Sequence, residues 1–457
     1  MPGRVMLQGL AEALGLPVAA LSQVEILGAP VLPSSFRVNK AASAAIAVSG
    51  LAAALLWEAR GGGSQGVVVD QRHAAAAFQS EQVLRLDGAW VAREQGDIAG
   101  LYPTGGAGWV RLHTNFDHHR AAILDLLGCA GDRASVAAVL RGWDAFALEA
   151  EAISRGLTIS ALRDFAAWDA HPHGQAVASL PLVEITRIGD APAEGLAFDE
   201  APLGGLRVLD LTRVIAGPVA TRTLAAHGAE VLTITGPDLP GFGIADLGRG
   251  KRQGVVDLRN AAGRAALAGL LAGADVFVQG YRPGSLAARG FGPAEAVALR
   301  PGLVVAELSA YGAAGPWSAR RGFDSLVQTA SGFNAAEAAA FGQASPRPLP
   351  VQALDHATGY LLAAGIMTAL LRRMREGGSW HVRVSLARTG AWLRGLGQVA
   401  VDPAWPVPSV ESFADLLERS ASGFGVMQAV RHPARLERTP AGFTRPSVPP
   451  RAGAVGW

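Results

Sequence analysis

The chain has 457 residues, of which 50% are hydrophobic and 17% charged; that places it among globular proteins of two or three domains and excludes a disordered polyelectrolyte. A formal net charge of +2, with no basic run, lacks the electrostatic footprint of a nucleic-acid binder. The single cysteine, Cys129, excludes an internal disulfide framework and, with no leader-like pattern at the start, gives the expectation of a cytoplasmic protein.

In chain order, the first element is the apolar stretch 41–57, alanine-rich and carrying Ser43 and Ser49. It is short for a bilayer span, so a buried core helix is expected and no membrane partner. This stretch belongs to a repeat. Residues 39–78 align without a gap on residues 354–393, at a constant offset of 315. Gly62, Gly63 and Ser64 fall on Gly377, Gly378 and Ser379, and Val67 and Val69 on Val382 and Val384. Each copy predicts a long apolar helix, a Gly-Gly stop, a short strand and a second helix. The copies differ at one chemically telling place, because Lys40 in the first stands where Asp355 stands in the second.

Residues 84–188 read as a small α+β domain, with a strand at 109–113 and helices at 118–127, 133–141 and 147–155. The Pro-, Gly- and acid-rich segment 189–205 reads as a linker. From residue 206 strands and helices alternate, with strands predicted at 207–211, 230–234, 254–258, 275–279 and 303–308 and helices at 219–226 and 263–272. This rhythm predicts an α/β fold with a doubly wound parallel sheet, whose ligands lie at the carboxyl ends of the strands. The domain runs to about 402. Residues 403–457, rich in Pro and Arg, are expected to wrap over the surface as a tail with one amphipathic helix near 410–419.

Three turns in the sheet half carry polar chemistry. The first strand turns through Arg213, Val214, Ile215, Ala216 and Gly217 into a helix, whose first N–H groups suit an anion. It lacks the glycine spacing of a dinucleotide loop, which disfavours NAD. Arg249, Lys251 and Arg252, flanked by Gly248, Gly250 and Gly254, offer three cations for phosphate or form an ordinary solvated turn. Tyr281 and Arg282, followed by Pro283 and Gly284, offer a ring to stack on and a cation, or simply a turn.

Together with Ala310, Tyr311 and Gly312, with Gly322, Phe323 and Asp324, and with Leu354, Asp355 and His356, these blocks resemble, in residues and order, the family III CoA-transferases (the CaiB/BaiF family). The resemblance covers about residues 206–393. It implies acyl-CoA and a carboxylic acid as substrates, with no metal and no NAD, and Asp355 as a covalent nucleophile passing through a mixed anhydride and an aspartyl-CoA thioester. It also implies CoA contacts from Arg213, Val214, Ile215, Ala216, Arg249, Lys251, Arg252, Tyr281, Arg282, Arg289 and Tyr311. The sequence departs from the family pattern at Thr235, Gly280 and Ala288, where the family carries an acid, an Asn and an Arg. Asp355 alternatively reads as a helix N-cap.

Racemases of the same superfamily place a His where Phe323 stands, and Phe323 cannot exchange a proton. Phe323 thus disfavours racemisation; a racemase or epimerase stays as the alternative enzymatic expectation from the same superfamily, and a CoA-binding scaffold without activity as the non-enzymatic one. His356 reads as a packing or supporting residue. His113, His118 and His119, and His171 and His173, lack zinc-site spacing. The first part has a helix segment and small domain without a sheet half, and the second a sheet half and helix segment without a small domain. One polypeptide is therefore expected to build what two interlocked subunits build in the family, as a monomer with fused half-sites or as a homodimer.

Overall fold

The computed structural model describes residues 3–91, 97–238, 243–450 and 455–457. Its strands are β1 Val24–Leu27, β2 Val67–Asp70, β3 Leu84–Leu86, β4 Ala89–Trp90, β5 Gly100–Pro103, β6 Trp109–Leu112, β7 Ile159–Ala161 and β8 Glu184–Gly189. They continue as β9 Arg207–Leu211, β10 Glu230–Thr235, β11 Lys251–Val255, β12 Val276–Gln279, β13 Val304–Ser309 and β14 Ser379–Ser385. The last three are β15 Leu417–Ser422, β16 Gly425–Val430 and β17 Ala434–Leu436.

The largest sheet has the order β11-β10-β9-β12-β13-β14-β8, parallel except for the antiparallel edge strand β8. Its central strands are near-continuous apolar runs, as burial on both faces demands, and Val208, Val276, Val278 and Val304 are wholly buried. Strand order reverses between β9 and β12, the place where a doubly wound sheet opens a crevice. The predicted strand at 254–258 lies three residues earlier, because Lys251 pairs in register with Val231 and the chain turns away where Asp257 caps the Arg259 N–H.

The two long apolar helices, Val38–Ala59 and Ala353–Glu376, pack against each other in the main core. Both pass the length and hydropathy test of a membrane span, and both are mostly buried inside the protein. Alanines along Val38–Ala59 keep the side chains between them small. Wherever the two repeat segments align, they carry the same elements: helix, strand (β2 or β14), then helix (Gln71–Ala77 or Leu386–Gly395).

The correspondence extends to strands that the repeat does not contain. β14 lies between parallel β13 and antiparallel β8, and β2 lies between parallel β1 and antiparallel β17. The antiparallel partners are exchanged. β8 follows the first repeat segment in the chain yet edges the sheet of the second, while β17 follows the second and edges the sheet of the first.

This corrects the expected surface tail. Residues 410–416 form a 3-10 turn rather than an amphipathic helix, β15 and β16 pair with β3 and β4 in a four-stranded sheet, and β17 completes the β1–β2 sheet. Phe413 of that turn is buried, and in β16 Met427 and Ala429 are buried against Leu84. The small domain has its own core around Val110, Leu112, Ile123, Val136 and Leu148.

Candidate active site

Asp355 is the third residue of the helix Ala353–Glu376. Gln352 at the N-cap position makes no side-chain cap. The orphan N–H groups of Leu354 and Asp355 are met instead by a single oxygen, Oδ2 of Asp324, at 2.8 and 2.9 Å. Asp324 begins the helix Asp324–Ala330, and its other oxygen accepts from the Gln328 side chain. Asp355 is therefore not the cap of its own helix. Among the described residues none donates a hydrogen bond to its carboxylate.

The carboxylate meets a wall of negative charge. Burial pushes its pKa well above 3.8, and the charges of Asp324 and Glu81 push it further the same way. Asp324 is itself raised to about 6, chiefly by burial. Glu81 behaves oppositely: burial works against its ionisation, but the charge and hydrogen bond of His356 outweigh it, so its pKa lies below the ordinary value. His356 Nε2 lies 3.1 Å from Glu81 Oε2, and its ring, wholly buried, packs against Phe78. His356 thus engages Glu81 and Phe78 and does not line the cavity beside Asp355.

Asp355 opens into a cavity of about 470 Å³. Its walls come from four regions: Glu81 and Gln82 after the first repeat segment, Arg111, His113 and Asn115 of the small domain, Val214, Ile215, Phe323 and Asp324 of the sheet half, and Phe424 and Pro450 of the C-terminal segment. The His113 ring lies flat on Phe323, with centroids 3.6 Å apart. Val214 has φ of 71°, strained for a β-branched residue and worth on the order of 1–3 kcal/mol. This turn leads into the helix Ala216–Ala226.

The other sequence candidates divide. Arg213 is half-buried, stands over the Phe116 ring at 5.5 Å and lies close enough to Tyr281 to bias its phenol. Arg282 is exposed and depresses the pKa of Arg321, after burial the second cause of that shift. Arg213, Arg282 and Arg321 therefore form a cationic rim, and Arg321 is a member that motif reading missed. Tyr281 lines a second cavity of about 240 Å³ over the carboxyl ends of β12 to β14. Arg289 is exposed and bonds the Ser285 carbonyl.

Arg249 and Lys251 are corrections. Both are buried and engaged internally, Arg249 with Asp246, Glu418 and the Val430 carbonyl, and Lys251 with Asp210, Thr221 and the Pro218 carbonyl. A cation neutralising a buried carboxylate has no hand left for phosphate. Arg252 pairs with Glu230 at 2.9 Å on the outside of the sheet. Tyr311 is wholly buried, its hydroxyl 3.4 Å from Ser160, and serves as packing between the sheet half and the small domain. Thr235, at the position where an acid was expected, bonds the Gly254 carbonyl.

The site thus combines a doubly wound sheet with a strained first turn, a buried carboxylate at a helix start and a cationic rim. Residues 203–405 match the sequence model of CoA-transferase family III. It is 34% identical over 239 residues to an acetyl-coenzyme A transferase of Hypoxylon pulicicidum, covering 49% of this chain and 40% of the relative. It is 32% identical over 314 residues to an acyl-CoA transferase of Gibberella moniliformis (63% and 54%). Over 190 residues it is 34% identical to succinyl-CoA:glutarate CoA-transferase of Mus musculus (38% and 43%). A crystal structure of a hypothetical protein from Mycobacterium tuberculosis is similar at 32% identity with a TM-score of 0.39, covering 43% of this chain and 58% of that one. The chain spans about half the length of the curated relatives it matches.

Proposed function

We propose that the protein transfers coenzyme A from an acyl-CoA to a carboxylic acid, with Asp355 as the covalent carrier. The observation that carries this is a buried carboxylate at the start of a helix, opening into a cavity with no hydrogen bond to hold it. A carboxylate of raised basicity is a better nucleophile once ionised, and the helix N-terminus offers partial positive charge to the oxyanion formed on attack. Asp355 attacks the thioester carbonyl, giving a mixed anhydride and CoA thiolate. The thiolate attacks the aspartyl carbonyl, releasing the donor acid and leaving an aspartyl-CoA thioester. An acceptor carboxylate then reverses both steps, so no net proton is consumed.

The cations Arg213, Arg282 and Arg321, for which no carboxylate partner is found among the described residues, support CoA phosphate binding at the rim, with Val214, Ile215 and Ala216 lining the path inward. One site per chain is the reading that this shared cavity supports, with the first half supplying Glu81 and the small domain. The racemase alternative has a weaker basis. His113 does bring an imidazole beside Phe323, but burial lowers its pKa to about 3, too low to hold a proton for transfer at neutral pH.

Incubation with a panel of acyl-CoAs followed by hydroxylamine or borohydride tests the proposal. Mass spectrometry should place the modification on Asp355. An unmodified protein that washes α-deuterium into acyl-CoA would favour the racemase, and one that does neither would favour a scaffold.

A further inference from the structure

The turn that carries Tyr281 and Arg282 leaves the sheet at the end of β12. Gly280 joins turn to strand, and glycine leaves the backbone its widest freedom. Downstream the turn closes on itself, the Ser285 N–H donating to the Arg282 carbonyl at 2.9 Å. On the strand side a side chain ties it down: Gln279 Oε1 accepts from the Tyr281 N–H at 2.9 Å.

That amide is itself oriented. Its Nε2 donates to Oε1 of Glu307, which stands in register with Gln279 on β13, and Oε2 of Glu307 lies 2.8 Å from Nε2 of His381 on β14. An ionised carboxylate only accepts, so this His381 nitrogen carries the proton and the Gln279 amide has one orientation. Reversing the amide would set oxygen against oxygen at Glu307 and N–H against N–H at Tyr281. Gln279 and His381 are buried and Glu307 is partly so. Three adjacent strands thus pass one hydrogen-bond order, from His381 through Glu307 and Gln279, onto the residue before Arg282. None of the three side chains lines the cavity that holds Asp355, so the reacting groups do not account for this row.

We infer that Gln279 is a positioning residue for coenzyme A: it sets the angle at which the turn presents the Tyr281 ring and the Arg282 cation to the phosphate end of the ligand, and Glu307 and His381 hold it in that pose. The inference rests on the reading of the rim as a CoA phosphate site. Gln279 acts through the turn and takes no part in bond exchange. A cation whose backbone is fixed beforehand loses less freedom when phosphate arrives, and binds it more tightly.

Calorimetric titration of the full-length protein with coenzyme A tests this, beside the kinetics of transfer. Gln279→Leu should raise the Kd for CoA about tenfold, the order that one lost hydrogen bond allows. The KM for acyl-CoA should rise with it while kcat stays within about twofold, since substrate once bound meets the same Asp355. Glu307→Leu, which leaves Gln279 in place but unheld, should weaken binding in the same direction. Glu307→Gln, whose amide oxygen still accepts from Gln279, should keep most of the affinity. In an Arg282→Ala background Gln279→Leu should cost less than about twofold more, because the cation it aims is gone.

A well-folded Gln279→Leu protein with wild-type affinity overturns the inference, and so does a loss that adds in full to that of Arg282→Ala; labelling of Asp355 in the wild-type protein leaves the transferase reading standing in either case. A wild-type protein that binds no CoA overturns both. The expected pattern of CoA binding without labelling by any acyl-CoA upholds this inference and overturns the transferase reading alone. Should Gln279→Leu fail to fold, Glu307→Leu against Glu307→Gln decides on the same titration.

Discussion

His356 and Glu81 meet across 275 positions of sequence, Nε2 to Oε2 at 3.1 Å, directly behind the candidate nucleophile. One belongs to the helix that carries Asp355, and the other follows the first repeat segment. The pair fastens the two halves of the chain at the point where the site is built. It also keeps Glu81 ionised, and that charge in turn raises the proton affinity of Asp355.

Asp355→Asn should abolish both covalent labelling and transfer, since Lys40 occupies the equivalent place in the first repeat segment, which therefore supplies no second copy of this aspartate. Circular dichroism should be unchanged, because Asp324 caps the helix independently of this side chain. Residual transfer near half the wild-type rate would mean that another residue carries the acyl group.

Asp324→Asn separates charge from capping, because an amide oxygen still accepts the two N–H bonds. With one neighbouring charge gone, Asp355 ionises more readily, and the acid limb of the labelling rate should move to lower pH. Stability should change as well. A carboxyl raised from 3.8 to about 6 contributes stability that is present below the unfolded value and lost as pH rises through 6. The variant should therefore gain up to about 3 kcal/mol over the wild type above pH 6, read by denaturant unfolding.

Lys251→Met and Arg282→Ala should part company. Lys251 neutralises Asp210 inside the sheet, and breaking that pair should cost about 3–5 kcal/mol of stability. Arg282 is exposed at the rim, so its loss should leave stability within about 0.5 kcal/mol while raising the KM for acyl-CoA about tenfold. A shift in melting temperature and a kinetic assay on each variant distinguish the two.

His227 is a probe of acid sensitivity. It is buried against His432, its pKa is lowered to about 4 by burial, and neither ring nitrogen has a hydrogen-bond partner among the described residues. Between pH 6.5 and 4 the unfolded chain takes up this proton before the folded one does. Stability should thus fall by up to about 3 kcal/mol across that window on account of this residue. His227→Leu should flatten the slope, as followed by thermal unfolding at stepped pH.

Local pattern made the sheet half legible. β9, β10, β12 and β13 are apolar runs punctuated by glycine turns, and Asp355 stood out through its match to the family's aspartate, which the contrast with Lys40 in the repeat sharpened. What escaped was what only tertiary structure decides. Arg249 and Lys251, between glycines, look like phosphate ligands until Asp246 and Asp210 are seen to neutralise them, the latter 41 residues away. Glu81 lies in no motif, and its role exists only because a distant histidine reaches it. β15, β16 and β17 are short and set among prolines and arginines, so their alternation is too brief to separate from a tail.

The exchange of β8 and β17 bears on how the protein is made. On the ribosome, β1 and β2 emerge early, but the strand that covers their open edge is not available until residue 436 has been synthesised. An unpaired edge held through most of translation is a site for pairing with the wrong chain. Loss of the last few dozen residues would therefore do more than shorten the surface. It would leave the nascent first half permanently sticky, and chaperone dependence and inclusion-body formation should rise steeply for truncations that remove Ala434–Leu436.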